Sequence, residues 1–465
     1  MYRKRQPLIT IIIVLVLILA GLLAIATNLT RSPENPTLQT GGNTASTGAD
    51  TQGTSGPEQQ TQPSQEPTVL PTEPPVIKES TATIGATGDI LMHGDVIESG
   101  KISESSYDFH DIFSFYSPYI TQLDYAIANF EGTLCGSDNG YSYGGYPHFN
   151  SPDAILDALK SAGFDMLLTA NNHSYDTRNT GFHRTQEAIA SLGLDHTGTV
   201  SSVEDDNYII QDINGIRIGM ICYTYNTGVA SDGSVSLNGI PLTQSNSHLI
   251  NSFSYEDLRG FYSKLEGELE EMTLAGVEAT VLFIHWGNEY QLKANSTQKT
   301  MAQALCDLGI DVIIGGHPHV IQPMELLTST QDPNHSTVCL YSLGNALSNQ
   351  RLGLISSCPT AHTEDGLLMS VTFAKYSDGT VIVESVDLLP TWINKITGSD
   401  LSYDIYPLDS SISDWKSAFG LTDSLLSQCE DSYHRTMAIV GDGLTQVQQW
   451  CARIQADLEA SLGIQ

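Results

Sequence analysis

The folded part of this chain is expected to be an α/β domain of parallel strands covered by helices on both faces, and three observations predict it. Short apolar runs alternate with helical patterns of 10 to 20 residues, the order that makes βαβ units. The runs are apolar almost throughout, as strands buried on both faces must be. Polar clusters sit just after these runs, where ligands bind in such sheets. In order, 81–89 (TATIGATGD) reads as a strand ending in a Gly-Asp turn. Ser151–Gly163 reads as a helix with Ser151 as N-cap and Pro152 at its first position. The strand FDMLLTA and the loop NNHSYD follow, then a helix over Thr180–Gly193 and the strand IRIGMICYTY. A long amphipathic helix, Leu258–Gly276, precedes the strand ATVLFIHW. A helix over Ser296–Gly309 precedes DVIIGG, and VCLYSLGN, GLLMSVTFA and GTVIVESVDL are strand-like.

The ends of the chain differ from this middle. Arg3, Lys4 and Arg5 precede Leu8–Thr27, which is almost wholly apolar. Twenty helical residues span roughly 30 Å, a bilayer core, and the basic flank places the N-terminus in the cytoplasm. The expectation is a single-pass anchor in the cell membrane with everything after it extracytoplasmic. A cleaved signal peptide, with Ala24 and Ala26 at its cleavage site, is the alternative. From Asn28 to about Val76 the chain is rich in Thr, Gln, Ser, Pro and Gly, too poor in large apolar groups to fold, and reads as a tether. The last stretch shows helical patterns at Asp414–Phe419 and Asp431–Leu462, with Met437, Val447, Trp450, Ile454 and Leu458 on the apolar face. The divisions are a basic tail 1–7, an anchor 8–27, a disordered linker 28–79, a folded domain 80–395 and a helical C-terminal extension 396–465.

The chain carries 53 acidic against 20 basic residues, a net charge of -33. Such a surface repels a phosphate backbone, so nucleic acid is not among the expected partners. Seven cysteines without a CxxC pair exclude a zinc ribbon or a thioredoxin-like site. Outside the cytoplasm a bridge can form, and Cys429 with Cys451 is the candidate pair.

Five motifs carry chemistry. GDILMHGD holds Asp89, His93 and Asp95; ANFEG holds Asn129 and Glu131; ANNHSYD holds Asn171, Asn172, His173 and Asp176. IHWGNEY holds His285, Trp286 and Glu289, and GGHPHVIQP holds His317 and His319. Carboxylate oxygen and imidazole nitrogen suit Zn, Mn or Fe, and two such cations about 4 Å apart clamp the attacking and leaving oxygens of a displacement. Taken singly, Asp89 also suits a turn or helix cap, Asn172 a turn and His285 a core position. Taken together, five strand-end motifs point to one metal site. His148, in the loop GYSYGGYPHF, either lines the pocket or belongs to a flexible lid, and His196 lies near a strand end.

The order GD, NFEG, NNH, HWG, GGHPH and YSLGN (341–345) resembles the CapA/PgsA family of capsule-synthesis proteins, over about Thr83 to Leu389. The resemblance implies a calcineurin-like metallophosphoesterase αββα sandwich with two divalent metal ions (Mn, Zn or Fe). One ion would take Asp89, Glu131 and His319, with His93 as a further ligand. The other would take Glu131, Asn172, His285 and His317, and Glu131 would bridge. His173 would be the catalytic acid or transition-state stabiliser. Asn129, Asn171 and Trp286, in the same motifs, are read as substrate contacts, as is Arg178, one of the few basic residues near a motif. The wider superfamily's Asp-x-His motif is absent, since His93 follows Asp89 by four residues. The function implied is biosynthesis of poly-γ-glutamate or a related anionic capsule polymer, by a metal-dependent phosphoesterase-like hydrolase. Its implied partners are the membrane, membrane-embedded capsule-synthesis subunits and an anionic polymer or phosphoester substrate. A non-catalytic polymer-binding or export scaffold, and a secreted metallophosphatase unrelated to capsules, are the alternatives.

Overall fold

The computed structural model describes residues 76–398 and 400–462. The apolar segment 8–27 and nearly all of the linker lie outside the described residues, and among those described no helix is long and apolar enough to cross a membrane.

Two sheets form the body. The eight-stranded sheet contains β1 (Lys78–Ile90), β2 (Tyr125–Phe130), β3 (Met166–Leu168), β4 (Asp195–Thr197), β15 (Asn345–Leu347), β16 (Asp365–Tyr376), β17 (Val381–Ile396) and β18 (Ser402–Pro407). Its order is β18-β17-β16-β1-β2-β3-β4; β1 to β4 run parallel, β16 to β18 are an antiparallel meander, and β15 pairs with the end of β1. The seven-stranded sheet contains β5 (Tyr208–Ile213), β6 (Ile216–Tyr225), β10 (Ser252–Phe253), β11 (Ala279–His285), β12 (Val312–Gly316), β13 (Met324–Thr328) and β14 (Ser336–Leu340). Between β6 and β10 the strands β7 (Gly228–Val229), β8 (Val235–Leu237) and β9 (Ile240–Pro241) make a small sheet of their own.

Period-two side-chain alternation explains the layering. Ile84 and Ala86 of β1, Ile127 of β2, Met220 and Cys222 of β6, Val281 and Phe283 of β11, and Val312 and Ile314 of β12 share one core between the sheets. The intervening residues face outward. Ala126, Ala128 and Phe130 meet the helix α1 (Ala154–Ala162). Leu282, Ile284 and Ile313 meet α3 (Leu258–Leu274) and α4 (Ser296–Asp307), while α2 (Arg178–Ser191) lies between β3 and β4 in the chain. The result is an α/β sandwich with helices outside both sheets.

Several local readings change. The helix read from Ser151 starts at Ala154, and no side-chain cap forms, because the Asp153 carboxylate is taken by Arg184 at 2.6 and 2.8 Å. The helix read from Thr180 starts two residues earlier, at Arg178, which adopts a left-handed φ of 59°. The segment 396–465 is not only helical, since β18 adds an edge strand to the larger sheet before α5 (Asp423–Leu462) begins. Cys429 and Cys451 lie on this one helix, separated by roughly 33 Å at ~1.5 Å per residue. A disulfide between them is geometrically impossible, and all seven cysteines are free and buried.

The helix α5 closes the open side of the sandwich, with Val440, Leu444, Val447 and Cys451 in the inter-sheet core. Gly443 permits this approach: a Cβ there would stand 2.0 Å from the Met324 carbonyl oxygen of β13. Alanine favours a helix over glycine by about 1 kcal/mol. Even so, Gly443→Ala is expected to lower the stability of the chain by about 2 kcal/mol, because a backbone carbonyl must move to admit the methyl. A denaturant melt that shows the variant equal to or more stable than the parent would refute this docking.

Candidate metal centre

Each candidate ligand sits at the carboxyl end of a parallel strand or on the loop that follows. Asp89 is near the end of β1, Glu131 follows β2, and Asn172 and His173 follow β3. From the other sheet, His285 ends β11, and His317 and His319 follow β12. The strand ends of the two sheets therefore converge, and all seven side chains are buried.

Two groups of ligand-type atoms form where they meet. Glu131, His285 and His317 make one, and Asp89, Glu131 and His319 make the other, each with its atoms within 4.8 Å of one another. Glu131 belongs to both. Its Oε1 lies 3.6 Å from His285 Nε2 and 3.9 Å from His319 Nε2. His319 Nδ1 donates to Asp89 Oδ2 at 3.2 Å, and Asn129 Nδ2 donates to Asp89 Oδ1 at 2.7 Å. Asn172 Oδ1 lies 2.9 Å from His285 Nε2, so it borders the first group.

The groups fit divalent cations by an internal test. Both Glu131 carboxylate oxygens and His317 Nδ1 are buried with no hydrogen-bond partner among the described residues. Buried polar atoms are normally satisfied, and an orphaned carboxylate beside an orphaned imidazole nitrogen is a donor set without its acceptor. The backbone is held to the same end. His317 has φ 95° and His319 φ 55°, left-handed values that cost a non-glycine residue of order 1–3 kcal/mol and concentrate at functional sites. At Gly316 a Cβ would stand 3.0 Å from Asp89 Oδ1 and 3.4 Å from His285 Nδ1, inside the cluster.

The electrostatics follow from burial and from facing charges. Burial pushes the Glu131 carboxyl up, but the imidazoles of His285 and His319 pull it below its usual range. Burial lowers His319, and Glu131 and Asp89 more than reverse this, raising it to about 9. His317 is driven well below its ordinary value by burial and by the neighbouring His285 and His319. For His173 burial acts downward, yet its hydrogen bond to Asp176 leaves it raised.

His173 stands beside the cluster. Its Nδ1 donates to Asp176 Oδ2 at 2.8 Å, and the same carboxylate oxygen accepts the Phe149 N–H at 2.7 Å. His93 is in neither group of ligand-type atoms. Its Nδ1 accepts the Asn349 N–H at 3.3 Å, which puts the proton of the neutral ring on Nε2, and its ring packs against Phe149. Burial and the nearby His319 lower it to about 4. His93, Phe149, His173, Glu289, Tyr290 and His319 are among the residues around a cavity of about 240 Å³ at the cluster, and no Lys or Arg among the described residues lines it.

The four residues read as substrate contacts are engaged in different ways. Asn171 spends both ends of its amide internally, donating to the Phe130 carbonyl and accepting the His173 N–H. Asn129 is likewise spent on Asp89 and Asn171, so both act as struts for the loops. Trp286 points to the outer helical layer, where its Nε1 donates to the Tyr341 carbonyl at 3.0 Å and its ring stacks on Tyr341. Arg178 is exposed, and no hydrogen bond or ion pair among the described residues joins its guanidinium to the cluster. Asp95 is exposed and pairs with Lys395. His148 is exposed, and its neighbour Phe149 fills the space between His93 and His173 at 5.1 and 4.7 Å between ring centroids. His196 lies on the edge strand β4 outside both groups.

Four site residues have no role in the sequence reading. Asp176 orients His173, a role that its place three residues further along the same loop suggests. Tyr225 sets its ring edge on His317 at 4.9 Å, and Tyr290, at φ 62°, lies 6.1 Å from His319. Asn238, from the small sheet, reaches both Asn172 and His173.

The family described as "Bacterial capsule synthesis protein PGA_cap" matches residues 83–350, which include every member of both ligand groups. The "Capsule biosynthesis protein CapA" of Bacillus anthracis is 28% identical over 66% of this chain and 67% of its own length. The "PGA biosynthesis protein CapA" of Bacillus subtilis (strain 168) is 27% identical over 65% of this chain and 70% of its own length.

Proposed function

Because the chain belongs to the bacterial capsule synthesis protein family, we propose that it serves the biosynthesis of poly-γ-glutamate or a related anionic capsule polymer through a dinuclear metal site of hydrolase type. The observation that carries the metal part is Glu131: one buried carboxylate shared by two ligand groups, with neither oxygen satisfied among the described residues. The apolar segment 8–27 would anchor the protein, and the Thr/Gln/Pro-rich tether would hold the domain outside the membrane. Membrane-embedded subunits of the same pathway are its proposed partners.

Asp89, Glu131 and His319 would hold one ion, and Glu131, Asn172, His285 and His317 the other. When bound, such a pair supplies Lewis-acid polarisation of the scissile group and an activated nucleophile at neutral pH. The remaining chemistry falls to the chain. Asp176 holds the Nδ1 proton of His173, so the imidazole stays in one orientation and Nε2 would be the nitrogen that delivers a proton to the leaving group. Phe149 packs edge-on against His173 and limits water there. Tyr290 and Glu289 line the cavity beside His319. With no Lys or Arg among the described residues of the cavity lining, an anionic phosphoester would be met by the bound cations.

The test is metal content and turnover of the purified full chain beside a His317→Ala, His319→Ala variant, on a panel of chromogenic phosphodiesters and phosphomonoesters. Two ions per chain and turnover lost in the variant would support the reading. Bound ions with no turnover on any ester would favour a polymer-binding scaffold, and a parent without ions would overturn the metal site. For the proton donor, Asp176→Asn is expected to lower turnover about a hundredfold with metal content unchanged. It keeps an acceptor for the Phe149 N–H and removes the charge behind His173, so equal turnover would exclude His173 as the acid.

A further inference from the structure

An amide side chain has two ends of nearly equal size, and only its oxygen can ligate a cation. Asn172 is 2% exposed, so its orientation depends on protein partners. One partner is His285, whose Nε2 lies 2.9 Å from Oδ1. The other comes from the small sheet. Asn172 Nδ2 donates to Asn238 Oδ1 at 3.1 Å, and Asn238 Nδ2 lies 3.4 Å from each ring nitrogen of His173.

Asn238 is delivered there by a stiff turn. Asn238 and Gly239 join β8 to β9 with φ of 46° and 72°. Two successive left-handed residues make the tight hairpin turn for which Asn-Gly is the favoured pair. The residues on either side, Leu237 and Ile240, are buried in the core between the large sheets, as is Leu242. The Gly239 N–H donates to Thr227 Oγ1 at 2.8 Å. The turn is thus pinned on both flanks while its first side chain extends over the loop after β3.

We propose that Asn238 is a positioning residue of the metal site, which locks the Asn172 amide with its oxygen toward His285 and Glu131 and so builds one of the two ion sites. Loss of the Asn238 acceptor leaves the Asn172 NH2 unpartnered on that side and free to turn toward the imidazole, which presents hydrogen instead of oxygen to the cation. The ion held by Asp89, Glu131 and His319 does not use Asn172 and is unaffected. The inference rests on the ion-binding reading above.

The experiment is calorimetric titration of Mn²⁺ alone into the metal-free full chain, purified in detergent. The parent is expected to show two binding steps. Asn238→Gly keeps the left-handed turn and deletes the side chain, and it is expected to weaken one step by roughly 10- to 100-fold and leave the other in place, the usual scale for a partner that orients a ligand. Asn238→Asp tolerates the same φ and returns an oxygen acceptor to Asn172, and it is expected to restore the weakened step to parental affinity or tighter. Thermal melts of the metal-free proteins separate this from misfolding: Asn238 is exposed in its turn, and the glycine variant is expected to melt with the parent. Two unchanged steps in Asn238→Gly overturn the proposal, as does an equal loss in Asn238→Gly and Asn238→Asp. A parent that takes up no Mn²⁺ overturns the ion-binding reading itself, and this inference with it.

Discussion

Glu131→Gln is expected to abolish both ion sites at once, with metal affinity lowered by well over ~100-fold at each, beyond the range seen when only an orienting partner is lost. The substitution keeps the size of the side chain and replaces one charged oxygen with an NH2 group. Glu131 is 1% exposed and neither oxygen has a hydrogen-bond partner among the described residues, although His285 and His319 nitrogens stand 3.6 and 3.9 Å away. A carboxylate in that position is costly unless positive charge compensates it. His317→Ala differs in kind, since His317 belongs to one group only. Elemental analysis is therefore expected to find both ions missing from Glu131→Gln and one retained by His317→Ala. If Glu131→Gln keeps one ion, the two sites do not share this carboxylate.

Arg435→Ala is expected to cost about 3 kcal/mol at pH 7.5, the lower end for breaking a buried ion pair because Arg435 is partly exposed. Arg435 on α5 donates from Nε and Nη2 to the two carboxylate oxygens of Asp365 at 3.0 and 2.7 Å, and Ser432 adds a third bond at 2.6 Å. These bonds fasten the C-terminal helix to the start of β16. Burial raises the Asp365 carboxyl from 3.8 to about 6 against the pull of Arg435 and Ser432. The folded chain therefore binds this proton more tightly than the unfolded chain, and this group's contribution to stability falls as pH rises from about 4 to about 6. Removal of Arg435 pushes the carboxyl higher still. The stability gap between variant and parent should then be widest at alkaline pH and narrow as the pH falls to about 6, because Asp365 takes up its proton at higher pH in the variant than in the parent. Denaturant melts at pH 7.5 and 5.5 measure this. A gap that does not change with pH would assign the loss to packing of the arginine stem instead.

Much of the site was legible because its parts are strand ends. GD, NFEG, NNH, HW and HPH each follow an apolar run, and a parallel sheet brings the carboxyl ends of its strands to one side. Strand periodicity also separates Trp286 from His285: successive residues of a strand face opposite ways, so Trp286 belongs to the outer layer. The substrate contacts read at Asn129 and Asn171 show a different limit. An amide in a motif reads the same whether it touches a ligand or braces a loop, and only the partners of its two ends decide. The tail shows a third. The run that forms β18 is six residues long and gains its stability by pairing with β17, a non-local contact that leaves no periodic trace.

By itself, the sequence determined the alternation of strands and helices, the points where strands end in polar turns, and the ligand types gathered there, because side-chain periodicity and turn chemistry are local free energies. Tertiary structure alone decided the rest. It made Glu131 common to both ligand groups, left His93 outside them, and set His317 and His319 in left-handed conformations. It also brought Asn238 against Asn172 from a hairpin 66 residues away. These are matters of which atom faces which, at distances near 3 Å. They are settled by two buried sheets packing against one another, and no stretch of the chain taken alone contains that contact.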